Sequence, residues 1–243
     1  MWIIDEETTR AYRRCMINQP LTETLIAEMG TAGVDIVSLL PGSAGSDVSL
    51  LEGLPGLKGL DFDWVSMPAV PVSVLNRLEE FGTSSNRGAR VDLAGLGRAS
   101  ALEGPPKMFT GSFSMVSGLE LLALRGLDER GLQVVEGCAE LRILRVTARA
   151  RTASVGWQNP PRRLRELQLN GVVLETLSGV EDLPDLEFFL INGGSAARAV
   201  TLDLSPLARC RRLKVVGIDG YGGVTGLDRL DELTTLSTLH VPT

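Results

Sequence analysis

Histidine is almost missing from this chain of 243 residues: there is one, His240. It stands two residues before Pro242 at an outward strand position, and is read as an exposed side chain rather than a general base. Cysteine is scarce too. Cys15, Cys138 and Cys210 form no C-x-x-C pair, and an odd number in a chain of this length is no disulfide framework, so reduced thiols are expected. No apolar run approaches the length that crosses a bilayer, and MWIIDEETTRAYRRCMINQP lacks the basic segment followed by an apolar stretch that a secretory signal needs. A cytoplasmic protein with no membrane partner is the expectation. Positive charge is in deficit, with 24 Lys and Arg against 30 Asp and Glu, a net −6, which argues against nucleic acid as a partner.

The familiar chemical motifs are missing as well. GSAGS at 42–46 lacks the G-x-S-x-G order and has no base to activate a serine, so it reads as a turn. GLG at 95–97 has no third glycine at dinucleotide-binding spacing, and no Walker lysine follows a glycine-rich run. No catalytic residue, metal site or cofactor is therefore assigned, and the chain is expected not to be an enzyme.

What is present is periodicity. An apolar residue followed by further apolar residues at gaps of two, two, one and two recurs along the chain. Val116-Leu119-Leu122-Leu124-Leu127, Pro161-Leu164-Leu167-Leu169-Val172 and Cys210-Leu213-Val216-Ile218-Tyr221 all fit it, as does Leu54-Leu57-Leu60-Phe62-Val65. Cys138 and Cys210 occupy the position held elsewhere by Leu54 and Leu183, and so count as small core hydrophobes. Looser copies are placed at Val34-Asp35-Ile36 and Val91-Asp92-Leu93. With the third position as marker, at 34, 60, 91, 122, 144, 167, 189, 216 and 239, the unit is 22 or 23 residues.

This pattern resembles the leucine-rich repeat family, whose motif is L-x-x-L-x-L in units of 20 to 29 residues. VVLETLSGVEDLPDLEFFLING and AVTLDLSPLARCRRLKVVGIDG look like short bacterial or intracellular repeats. The resemblance implies an α/β solenoid, with a concave parallel β-sheet and a convex side of short helices, 3-10 turns and loops. The family's asparagine after the last strand leucine is missing; Val65, Leu127, Arg149, Val172, Gly194 and Tyr221 stand there, so the turns must close differently.

One domain is expected over 1–243, with residues 1–33 as an N-terminal cap. There PLTETLIAEMG forms a short helix with Thr22 as N-cap and Gly30 as stop. About nine irregular repeats fill 34–243. Two of them are stretched by Gly-, Pro- and Ser-rich insertions near 66–90 and 94–115 that read as rim loops.

Alternation in the L-x-L core sends Leu167 and Leu169 inward and Glu166, Gln168 and Asn170 outward. Carried along the chain, it presents Asp35, Asp61 and Asp92 in the early strands, with Asp63 beside Asp61, and Leu121, Ile143, Phe188, Leu190 and Val215 in the later ones. Outward apolar side chains mark either an interaction surface or a face covered by a rim loop. A second candidate surface is basic: Arg142, Arg145, Arg149, Arg151, Arg162, Arg163 and Arg165, with Trp157 in the loop between them. It is either a solvated face or a seat for an acidic partner anchored on arginine and tryptophan. LKVVGIDGYGGV at 213–224 looks like a ligand loop. Leu124-Arg125-Gly126, Leu169-Asn170-Gly171 and Ile191-Asn192-Gly193 leave their strands in the same way, so Gly220 is a corner and Tyr221 a residue lining the rim.

The reading is a protein-protein interaction module, scaffold or inhibitor, using the concave face and rim, monomeric by default. An immunity protein neutralising a bacterial toxin is the alternative, since the Arg-, Gly-, Ala- and Leu-heavy usage suggests a bacterial source; an enzyme with a site in the rim loops ranks below both.

Overall fold

The computed structural model describes residues 12–63, 66–127, 130–152 and 154–242. Val65 and the first eleven residues of the expected cap lie outside the described residues. In chain order the strands are β1 (Arg14–Ile17), β2 (Ile36–Leu39), β3 (Gly59–Phe62), β4 (Glu80–Thr83), β5 (Val91–Asp92), β6 (Ala101–Gly104), β7 (Phe109–Thr110) and β8 (Leu121–Arg125). After them come β9 (Ile143–Thr152), β10 (Glu166–Leu174), β11 (Phe188–Asn192), β12 (Thr201–Asp203), β13 (Val215–Asp219), β14 (Gly223–Thr225) and β15 (Thr238–His240). Eleven of them form one parallel sheet in the order β1-β2-β3-β4-β6-β8-β9-β10-β11-β13-β15. The pairs β5-β7 and β12-β14 are separate two-stranded ribbons.

The architecture follows from stacking. A strand of four or five residues cannot bury its inward face alone, but repeats placed in register share one apolar interior. The main column runs through Val37, Leu60, Phe81, Leu102, Leu122, Leu144, Leu167, Phe189 and Val216, which pair strand to strand. None of these is more than 2% exposed. The convex side is built of 3-10 turns, a four-residue helix (Val72–Leu75) and a ten-residue helix, α1 (Glu23–Ala32), which buries Ile26 and Met29. Thr22 caps α1 as expected, accepting a hydrogen bond from the Leu25 N–H at 3.2 Å. The helix stops at Gly33, in the left-handed conformation, rather than at Gly30, because two further helical residues fit before the chain turns into β2.

The register corrects the early copies of the template. Val37 and Leu39, not Val34 and Ile36, hold the inward columns of β2. Asp35 therefore falls before the strand, where it accepts the Arg13 backbone N–H. Val91–Asp92 leaves the main sheet altogether and pairs with Phe109–Thr110. Segments 66–90 and 94–115, read as insertions, each contain a strand of the main sheet, β4 and β6, and the expected cap contributes a third, β1, which pairs with β2; with Val91–Asp92 removed, the nine counted copies become eleven strands among the described residues.

These two strands escape the L-x-L pattern because their second inward places are Thr83 and Gly104. The room so created is taken by aromatic rings. A Cβ on Gly104 would lie 3.3 Å from the Phe109 ring. Phe62, Phe81, Phe109 and Phe113 follow one another at centroid separations of 6.2, 6.2 and 5.4 Å, the last two contacts edge-on.

Closure without the asparagine ladder is achieved by backbone. At the entry to each main-sheet strand from β2 onward one carbonyl accepts two successive N–H groups of the next repeat: Lys58 O from Glu79 and Glu80, Glu120 O from Arg142 and Ile143, Arg165 O from Glu187 and Phe188. Each such oxygen uses both its lone pairs, and no side chain is required. At strand exits Gly126 and Gly220 have positive φ as expected, whereas in β11 the positive φ falls on Gly194 and not Gly193. Gly171 has the expected positive φ but is no corner: β10 runs through it to Leu174 opposite an irregularity in β9, and a Cβ there would meet the Ala148 carbonyl oxygen at 2.2 Å.

Candidate functional site

Two rows of outward side chains cover the concave face, set by the pairing. The first holds Glu80, Ala101, Leu121, Ile143, Glu166, Phe188 and Val215 on successive strands from β4 to β13. The second holds Ser38, Asp61, Gly82, Glu103, Ala123, Arg145, Gln168, Leu190 and Gly217 from β2 to β13. A sheet of this kind is rigid, so the relative positions of these groups are fixed by the strand ladder.

The C-terminal part is the apolar one. Phe188 is 37% exposed and stands beside half-buried Val215 on the neighbouring strand. Leu190 is half-buried because it leans over Gly217, where a Cβ would sit 2.8 Å from its Cδ2. Leu121 and Ile143, adjacent on β8 and β9, form a second half-buried pair. Glu166 separates the two apolar groups and receives Arg145 at 2.7 Å, so Arg145 is spent within the sheet.

The N-terminal part is charged and bonded. Arg14 reaches over β2 to donate to Ser38 at 3.1 Å and to Asp61 at 2.6 Å, and Ser38 donates to the same carboxylate at 3.0 Å. Burial holds the Asp61 carboxyl above its ordinary value, against the pull of Arg14. Glu103 accepts from Arg125 Nε at 2.9 Å. Asp63 is exposed and accepts the Ser84 hydroxyl at 2.6 Å. At the strand entry the Tyr12 hydroxyl donates to Glu79 at 2.8 Å, with the Lys58 ammonium 5.4 Å from the centre of the Tyr12 ring. Burial first, then the charges of Asp61 and Glu79, raises the Glu80 carboxyl against the pull of Arg14.

Several of the expected binding residues have other work. Trp157 is 7% exposed and donates its indole N–H to the Leu132 carbonyl at 2.7 Å, so it is a core residue joining two repeats and not a surface anchor. Tyr221 is 4% exposed, and its hydroxyl accepts the Leu174 N–H at 3.0 Å, which removes it from the rim. The basic cluster dissolves mostly into inter-repeat ion pairs: Arg142 with Glu120 at 3.9 Å, Arg151 with Glu175 at 3.0 Å and Arg163 with Glu140. Arg149 is exposed on the extension of β9. Arg14, Ser38, Glu80, Gly82, Glu103 and Arg125 are the face residues that the periodic reading missed; the missed signal was Phe81 and Leu102 at ordinary repeat spacing.

Among the described residues no group of three His, Cys, Asp or Glu side chains could hold a metal ion, and no helix is long and apolar enough to cross a membrane. Cys138 and Cys210 are buried, and burial pushes their thiols up to about 11 and about 12, so neither is a nucleophile at neutral pH.

No family model matches the sequence, and no curated protein does. Solved structures do match. A leucine-rich-repeat protein of Leptospira interrogans is similar at 14% identity and a TM-score of 0.52, over 91% of this chain and 63% of that one. The leucine-rich-repeat ectodomain of a plant membrane receptor kinase from Arabidopsis thaliana, solved in complex with Casparian strip integrity factor 2, is similar at 15% identity and a TM-score of 0.51, over 91% of this chain and 31% of that one. The chain thus spans less than two thirds of the length of either. The fold is a leucine-rich-repeat solenoid.

Proposed function

We propose that the chain acts as one domain and as a non-catalytic protein-interaction module, a scaffold or inhibitor that takes a protein partner on its concave face. The observation that carries this reading is Phe188, an aromatic side chain 37% exposed on a rigid sheet beside Val215 and Leu190. Interfaces concentrate their free energy in such pre-positioned aromatic anchors with apolar neighbours. The Arabidopsis ectodomain, solved in complex with a factor, supports partner binding by a protein of this fold.

The test is positional crosslinking. Phe188→p-benzoylphenylalanine, expressed in the source organism and irradiated, is expected to yield a discrete covalent adduct with one protein. The same substitution at Arg211, beside the 3-10 turn Ser205–Arg209 and outside both concave rows, is expected to yield none. Equal labelling from both positions, or none from Phe188, would overturn the proposal.

A further inference from the structure

The concave face has a direction. At one end, three successive strands carry Asp61, Glu80 and Glu103 around Gly82, which lies between Asp61 and Glu103 in its row and adds no side chain of its own. Arg14 and Arg125 oppose these charges, but each is already held, by Asp61 and by Glu103. Among the described residues nothing hydrogen-bonds or ion-pairs with the Glu80 carboxylate. At the other end the same face turns apolar, first at Leu121–Ile143 and then at Phe188–Val215. Strands lie about 4.8 Å apart, so Leu121–Ile143 is centred about 12 Å from Gly82 and Phe188 stands about 24 Å from it. An extended chain at about 3.3 Å per residue covers those distances in about four and about seven residues.

Resting on the concave face being the partner surface, we propose that it takes an extended partner segment laid across the strands. A lysine or arginine of that segment sits over Gly82 beside Glu80, and apolar side chains about four and about seven residues away sit on Leu121–Ile143 and Phe188–Val215. Charge complementarity and the apolar pairs together choose the occupant, since an acidic or purely polar segment would meet like charge at one end and lose water without recompense at the other. Glu80 is the residue to alter, because it stands beside Gly82 with no hydrogen bond to its carboxylate among the described residues, and burial disfavours its charge in the free fold more than the pull of Arg14 favours it. Its removal should not cost folding.

The experiment is selection of a displayed library of random dodecapeptides on the purified chain, with the retained pool sequenced. The expected pool is enriched in Lys or Arg, with aliphatic or aromatic residues about four and about seven positions away. A retained peptide is expected to bind Glu80→Gln about tenfold more weakly, as the loss of a charge-assisted contact, and to lose its basic preference altogether on Glu80→Lys, which fills the place from within. Glu80→Gln should melt no lower than the parent, whereas Glu80→Lys sets an ammonium beside Arg14 and is compared at a temperature where it remains folded. A pool with no basic preference, or one that Glu80→Lys leaves unchanged, overturns this inference; if binding then still depends on Phe188, the platform reading stands. Retention no better than on a bare support sinks both.

Discussion

The two halves of the solenoid share one backbone scheme and differ in almost everything hung on it. From β8 to β13 both inward columns are aliphatic or aromatic without a gap: Leu122 with Leu124, Leu144 with Val146, Leu167 with Leu169, Phe189 with Ile191, Val216 with Ile218. At β4 and β6 the second column falls to Thr83 and Gly104, and Phe109 and Phe113 fill the space from outside the main sheet. The outward faces differ in the opposite sense: bonded charge over the aromatic core, bare apolar groups over the aliphatic one. The carbonyl that accepts two N–H groups at the entry of main-sheet strands is common to both. Stacking is therefore a property of the ladder, while the side chains are free to specialise by region.

The sharpest way to break this comparison is to truncate one core residue in each half. Phe81→Ala should cost about 3–5 kcal/mol and Leu167→Ala about 2–5 kcal/mol, read from denaturant midpoints. Phe81 touches both Phe62 and Phe109 and stands between Leu60 and Leu102 in the main column, so its loss opens a cavity on every side of the ring. If Phe81→Ala proves milder than Leu167→Ala, the aromatic cluster is loosely packed and the two halves are not equivalent supports.

The same contrast explains what was legible. The C-terminal repeats were readable from residues alone because Leu or its equivalent stands in every inward place, so period and register are both overdetermined. The N-terminal repeats were not. With Thr83 and Gly104 in the second column the motif vanishes, Val91-Asp92-Leu93 offers a false copy, and the true strands were mistaken for loops. Of the face residues, Leu121, Ile143, Phe188, Leu190 and Val215 were placed correctly because they inherit that register. Trp157 and Tyr221 were misplaced because an aromatic with a polar tip looks the same in a sequence whether its N–H or O–H meets solvent or a buried backbone group. The arginines were misread because their partners, Glu120, Glu140, Glu166 and Glu175, lie one repeat away and only the stacking brings them together.

A smaller effect probes the place where the regular half is stretched. The long repeat before β13 is held by the Tyr221 hydroxyl, which accepts the Leu174 N–H at 3.0 Å while its ring packs on Gly193. Tyr221→Phe keeps the ring and orphans a buried N–H, so it should cost about 1–3 kcal/mol in thermal or chemical unfolding. A neutral result would mean that Leu174 finds another acceptor and that the stretch is pliable.

The smallest effect comes from the charged half, where the sign is informative. Glu80 and Asp61 have folded pKa values raised above their ordinary ones, Glu80 by burial, then by Asp61 and Glu79. A carboxyl raised on folding binds its proton more tightly in the native state, so its contribution favours the fold below the unfolded value and is lost as pH rises through the folded one. Glu80→Gln removes that dependence. The variant should match the parent at a pH below the ordinary glutamate value of 4.5 and exceed it in melting temperature near neutrality. A parent that gains stability over Glu80→Gln as pH rises would mean that a cation already compensates the site from within. The charged end of the face would then be closed like the rest of its network, rather than a carboxylate held ready for a partner's side chain.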